Sequence, residues 1–283
     1  MGDVLAGIHA TWEFEPDSVL IRFERGIRTP KLLQALRERH IPHEALSSVT
    51  LTRGKRGTVV LHAVPRPGAD PLMEAAAGQL KQVCDPYRLV LPAERETLAD
   101  YYADELRALL PADASTPAGR FLVAAPAAPQ HFKAYDGKAS FDGSQVVFRW
   151  FWTGASSAKW KAGDQTFPVG ELSGVEWRSP EVFDGHLRLL RRAADGSAQA
   201  DQDPAAVVFG LGYGPVHESL PFAAAVLEAV RATSAAPVHA GHAARPAPAD
   251  IADRIRHLGE LHRAGLVTDE EFTAKKAELL AEL

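Results

Sequence analysis

The sequence predicts an α+β protein in which a small antiparallel-sheet unit closed by one C-terminal helix occurs twice, followed by a two-helix hairpin. Three observations lead there. Four sequence blocks recur in the same order in two halves of the chain, each half ends in a helical stretch, and two Ala/Pro-rich segments separate the pieces. Proline fixes φ and removes a backbone donor, so residues 111–130 (PADASTPAGRFLVAAPAAPQ) and 232–249 (ATSAAPVHAGHAARPAPA) read as extended linkers. They divide the chain into a first repeat over 1–110, a second over 131–231 and a hairpin over 250–283.

The repeat is clearest where IPHEALSSVTL (41–51) meets FPVGELSGVEW (167–177). Pro42/Pro168, Leu46/Leu172, Ser47/Ser173 and Val49/Val175 align without a gap. Upstream, SVLIRF (18–23) matches QVVFRW (145–150). Downstream, GTVVL (57–61) is matched to GHLRL (185–189), and DPYRLVL (85–91) to DPAAVVF (203–209). Ordered self-similarity of this kind marks a duplicated unit. Val19, Ile21 and Phe23 alternate with Leu20, Arg22 and Glu24, the period of a half-buried strand, and Val146, Phe148 and Trp150 repeat it. The turn residues EPDS and DGS precede these runs, with Trp12, Phe14 and Phe141 on the strands before them. Short connections favour antiparallel pairing. The closing helices are ETLADYYADELRALL (96–110) and SLPFAAAVLEAVRA (219–232); Leu98, Tyr102, Leu106 and Leu109 define the expected buried face of the first.

With 46% hydrophobic residues the chain has enough apolar side chains for a sizeable core. A net charge of −5 argues against a general nucleic-acid binder, and no nucleic-acid partner is expected. The single cysteine, Cys84, excludes an intramolecular disulfide and favours a reducing compartment. The first twenty residues lack a basic start followed by an apolar core, and Ala6 stands where a myristoylation signal calls for Ser or Thr. No apolar run approaches the ~20 residues of a membrane span. The expectation is a cytoplasmic protein, with attachment to the membrane periphery as the alternative.

The duplicated unit follows a pleckstrin-homology-like plan, a curved sheet capped by one helix. On its repeat and its Leu-Ser-x-Val element it resembles the domain-of-unknown-function family 4429, which is similar to bacterial pleckstrin-homology-like domains. The tail resembles the SHOCT (short C-terminal) domain through Ile255, Leu258, Leu261, Ala264-Gly265, Leu266, Thr268, Glu270-Glu271-Phe272, Lys275-Lys276 and Leu279-Leu280. The two resemblances span about nine tenths of the chain, and the second implies a role in oligomerisation.

The residues of the tail point the same way. Asp250 is a good N-cap, Ile251, Ile255, Leu258 and Leu261 share a helix face, and Gly265 suits the left-handed position past the helix end. Thr268 with Glu271 forms a capping box, flanked by Val267 and Phe272 at staple positions. Phe272, Leu279, Leu280 and Leu283 supply a second apolar face. A hairpin of ~35 residues buries too little to stand alone, so those faces need a partner. The partner is this protein's own body, a second copy of the tail, or another protein; the long tether argues against the first.

Catalytic signals are weak. GLGYG (210–214) is neither G-x-G-x-x-G nor a P-loop and reads as a turn. His40/His43 and His239/His242 lack acidic or cysteine ligands at fixed spacing, so no metal is expected. No nucleophile elbow is present, and Ser47 and Ser173 read as strand-end hydroxyls bonding the backbone. No catalytic residue and no cofactor is expected. Residues 22–56 carry nine basic side chains against three acids. Arg25, Arg28, Lys31, Arg37, Arg39, Arg53, Lys55 and Arg56 are therefore candidates for contact with anionic lipid or another anion, unless LLQALRER is an amphipathic connector helix with a solvated basic face. The second repeat has fewer basic residues there and adds Trp150, Trp152 and Trp160. Trp150 matches core-facing Phe23, which leaves Trp152 and Trp160 as candidate protein contacts. Together these features predict a non-enzymatic interaction protein with a self-associating tail.

Overall fold

A computed structural model describes residues 3–192, 198–210 and 216–235. Its elements fall into two sets that repeat in kind and order, save for one helix of the first set with no counterpart among the described residues of the second. In the first repeat β1 (Asp3–Ala6), β2 (Ala10–Phe14), β3 (Ser18–Phe23) and β4 (Glu38–Pro42) form a four-stranded antiparallel meander, with helix α1 (Lys31–Leu36) between β3 and β4. A single 3-10 turn leads into a three-stranded antiparallel sheet of β5 (Leu46–Arg53), β6 (Thr58–Pro65) and β7 (Arg88–Pro92). Helix α2 (Pro71–Ala76) lies between β6 and β7, and α3 (Glu96–Ala108) closes the repeat.

The second repeat has β8 (Gln130–Lys133), β9 (Gly137–Phe141), β10 (Gln145–Trp150), α4 (Ser157–Ala162) and β11 (Gln165–Pro168) in its four-stranded sheet region. Its three-stranded sheet holds β12 (Leu172–Arg178), β13 (His186–Arg191) and β14 (Ala206–Val208), and α5 (Ser219–Ala235) closes it. The class is α+β. Each unit thus has two sheets, where sequence patterning predicts one.

The Leu-Ser-x-Val element sits at the joint between the sheets. In both copies the ladder slips just after the leucine, between Leu46 and Ser48 and between Leu172 and Gly174. The extra residue of a bulge, here Ser47 and Ser173, is itself left unpaired in the ladder. Ser47 Oγ donates to the Val64 carbonyl at 3.0 Å and Ser173 Oγ to that of Leu190 at 3.1 Å. The serine therefore completes the bulge in each repeat.

Cross-strand pairing corrects one sequence match. Leu51 faces Leu61 and Trp177 faces Leu187, so Leu61 corresponds to Leu187, two residues from the GTVVL/GHLRL alignment. A shift of two keeps every side chain on its face, so alternation alone cannot detect it.

The buried face of α3 is also displaced. Ala99, Tyr102, Ala103 and Leu106 face inward, whereas Leu98 and Leu109 are exposed. The alanines bring the helix close to the sheet, Tyr102 stacks on Phe14 with centroids 4.2 Å apart, and Arg107 Nε bonds the Val49 carbonyl at 3.0 Å. Similarly, α1 ends at Leu36, so LLQALRER is one short helix followed by a strand.

The segment between the repeats is a strap laid along the first one. Ala118 N–H bonds the Pro67 carbonyl, Leu122 and Val123 N–H bond that of Ala69, and Arg66 bonds both Asp113 and the Thr116 carbonyl. Residues 3–235 lie within one compact unit. Within it α2 packs on α5, Arg231 pairs with Glu74 at 2.6 Å, and the Gln79 side chain exchanges hydrogen bonds with the Trp177 carbonyl and Ser179 N–H. One apolar core runs through both repeats.

At the β9–β10 turn the Asp142 carboxylate accepts from Ser144 N–H, Gln145 N–H and Ser144 Oγ, which hold its pKa down to about 2. A folded value below the unfolded one favours the fold above the ordinary carboxylate range, and that contribution disappears as pH falls through about 2. Asp142→Asn is expected to flatten the decline in thermal midpoint between pH ~4 and ~2; an unchanged acid limb would contradict it.

Candidate functional site

The basic run of 22–56 separates into three environments. Arg25, Lys31 and Arg37 are exposed and line a cleft of about 1120 Å³. Its walls include α1, β4, the end of the strap, and His217 and Pro221 at the start of α5. Arg53, Lys55 and Arg56 sit instead at the β5–β6 turn, where Arg53 approaches Glu96 at 3.6 Å. Arg28 is exposed and lines none of the described cavities.

Arg39 is the third case and corrects its place among surface contacts. Strand alternation sends Ile41 inward, and Arg39, two residues before it, goes the same way. Its side chain is 3% exposed and donates Nη2–H to Asp70 Oδ1 at 2.9 Å. Asp70 also accepts from Tyr87 Oη at 2.7 Å and caps α2 through Leu72 N–H at 2.8 Å. Burial opposes the Arg39 charge, but Asp70 and Tyr87 leave its pKa raised. Arg39 Nη1 is buried without a hydrogen-bond partner.

Arg37, at the end of α1, has φ 62° and ψ −68°. Residues other than glycine are rarely held there, at a cost on the order of 1–3 kcal/mol. The corresponding residue of the second repeat is Gly163, φ 68°. Burial lowers the pKa of His217, also in the cleft, with Glu218 opposing and Lys31 reinforcing the shift.

Trp152 and Trp160 form an aromatic pair with centroids 6.2 Å apart, T-shaped, 79% and 54% exposed. Their support is built from α4. Ser156 Oγ accepts the Lys159 N–H at the helix start, and Trp150 Nε1–H bonds the Gly163 carbonyl at its end. Between them Lys159 turns inward, fully buried, ion-paired to Asp136 and 5.0 Å from the centroid of the buried Trp150 ring. Asp136 also accepts the Val208 N–H at 2.9 Å. Burial raises the Asp136 pKa and lowers that of Lys159, each against the attraction of the other. In the first repeat Leu33 occupies the place of Lys159, and the pedestal is apolar.

Glu15, Asp17 and His40 bring three ligand atoms within 4.8 Å of one another. Ser18 Oγ already bonds Glu15 and Asp17, and His40 Nε2 lies 3.1 Å from Glu15. Hairpin closure assembles this group, which His-spacing rules miss. His43 is buried elsewhere, and His239 and His242 lie outside the described residues. So do residues 211–214 of GLGYG and Ile255, Leu258, Leu261, Leu266, Phe272, Leu279 and Leu280 of the hairpin. Cys84 is half-buried; burial and Glu181 raise its pKa, with Lys81 opposing, so it remains a thiol. Among the described residues no helix is long and apolar enough to cross a membrane.

A search of curated proteins finds no match. A family model for a domain of unknown function, DUF4429, matches residues 12–107 and 139–227, the two repeats, and a model for the SHOCT short C-terminal domain matches 253–280. The first covers well over half of the chain, which therefore belongs to the DUF4429 family, carrying its domain twice ahead of a SHOCT domain.

Proposed function

We propose that the protein is a non-enzymatic scaffold whose pleckstrin-like repeats bind a protein or peptide while the SHOCT tail oligomerises the chain. The exposed Trp152–Trp160 pair carries this reading. Large aromatics on a rigid base offer contact area at low entropic cost, and tryptophan is enriched in binding hot spots. Here the base is a capped helix fixed by a buried ion pair. The tail's apolar faces need a partner, and a second tail supplies one; linking several weak sites then raises their joint affinity.

The test compares three forms by light scattering after size exclusion and as baits: the full chain, a chain ending at Pro248, and full-length Trp152→Ala/Trp160→Ala. The full chain is expected to be a multimer and the truncation a monomer. The tryptophan variant should remain a multimer and lose the captured protein. A multimeric truncation, or capture indifferent to both changes, contradicts the proposal.

A second reading, a peripheral adaptor on anionic lipid, draws on the exposed cations of the β5–β6 turn. Salt-sensitive sedimentation with anionic but not neutral vesicles, lost on neutralising Arg53, Lys55 and Arg56, would favour it.

A further inference from the structure

The cleft bounded by α1, the strap and the start of α5 is independent of the tryptophan pair and differs from it in chemistry. Three exposed cations line it: Arg25, Lys31 and Arg37. Among the described residues, no carboxylate is ion-paired to Arg25, Lys31 or Arg37. Two acids share the lining. Glu38 is engaged by Arg22 at 3.8 Å, and Glu218 stands beside His217 in sequence. His131 and His217 add ring N–H donors from the second repeat's side.

Two features separate this cleft from an ordinary solvated basic face. It is concave and has walls from both repeats. Arg37 is held in a backbone conformation that suits glycine, where the other repeat has glycine. An arginine kept at such a position is consistent with a function for its side chain.

We propose that this cleft binds a small organic molecule bearing two neighbouring phosphate groups. Phosphoryl oxygens accept from several directions at once and match guanidinium forks. The cleft volume, about 1120 Å³, lies just above the ~300–1,000 Å³ of typical organic-ligand pockets and exceeds what a lone phosphate would fill. The diphosphate belongs to a soluble metabolite or to a lipid headgroup, and the two sources differ experimentally.

Inorganic pyrophosphate titrated calorimetrically into the full chain is expected to saturate at one per chain. Lys31→Gln and Arg37→Gly should each weaken it about tenfold or more, as loss of a charged hydrogen bond does. Arg37→Gly suits the backbone, so its thermal midpoint should not fall, which separates lost binding from lost folding. In parallel, the same proteins are sedimented with phosphatidylcholine vesicles with and without phosphatidylinositol bisphosphate. Pyrophosphate binding sensitive to both variants supports the proposal with a soluble ligand. Vesicle binding alone, sensitive to both, supports it with a lipid headgroup. No binding to either probe, or binding unchanged in both variants, overturns it.

Discussion

Asp70→Ala is expected to remove about 3–5 kcal/mol of folding stability, measured by urea denaturation of the full chain, because it strips a buried charge of its partner. The Asp70 side chain has no exposure and does three jobs: it pairs with Arg39, accepts the Tyr87 hydroxyl and caps α2. Alanine leaves the Arg39 guanidinium without a counter-ion and the Tyr87 hydroxyl unbonded. Tyr87→Phe removes only one hydrogen bond to a charged group and should cost about 1.5–3 kcal/mol. If Asp70→Ala cost less than about 1 kcal/mol, water would have to reach Arg39, and the buried cluster would be wrong.

A comparable loss is expected for Asp136→Ala, again about 3–5 kcal/mol, because it leaves the Lys159 ammonium buried and unpaired and the Val208 N–H without its acceptor. The pair should nevertheless be replaceable. Asp136→Asn keeps an acceptor for Val208, and Lys159→Met keeps the volume of the aliphatic stem. Since desolvation offsets much of the attraction in a buried pair, the double variant should fall within about 1.5 kcal/mol of the parent. Leu33 in the corresponding place shows that the fold accommodates an apolar residue there. A double variant as damaged as the single one would mean that Lys159 does more than neutralise Asp136. Tryptophan fluorescence of Trp150, Trp152 and Trp160 would then report whether α4 had moved.

Much of the duplicated fold was legible because its signals are local and occur twice. Pro42/Pro168 and Leu-Ser-x-Val mark the joint between sheets, and the serine's bond to the opposite carbonyl follows from its place in a bulge. The β6/β13 match failed because Gly57 and Gly185 were used as anchors, although they occupy different places in hairpins of equal span, Leu51 to Leu61 and Trp177 to Leu187, whose ladders end at different pairs. The β5–β6 ladder runs to Arg53 opposite Val59, whereas β12–β13 ends at Arg178 opposite His186. On α3 two inward registers fit the same period, and the larger leucines misled, since close packing selected the alanines.

The sites were less legible for a physical reason. A run of charges records composition, whereas burial depends on which strand face or helix turn a residue occupies. Arg39 could have been recognised from its parity with Ile41, but its counter-ion lies 31 positions away at the N-cap of α2. Lys159 could not have been singled out, because Asp136 meets it only after the β8–β9 hairpin folds back. The cleft draws on both repeats and the strap, and no local pattern encodes it.

The contact of α2 with α5 bears on how this architecture can be inherited. A repeat copied by itself would carry one side of a joint made to be covered: α2 would lack the alanine-rich helix it packs against, and α5 would present that helix to water. Arg231 and Glu74 would lose each other as well. Moving one copy without the other would therefore uncover both sides of the joint. Although the domain is recognised twice along the chain, the smallest part that can be transplanted whole is the pair.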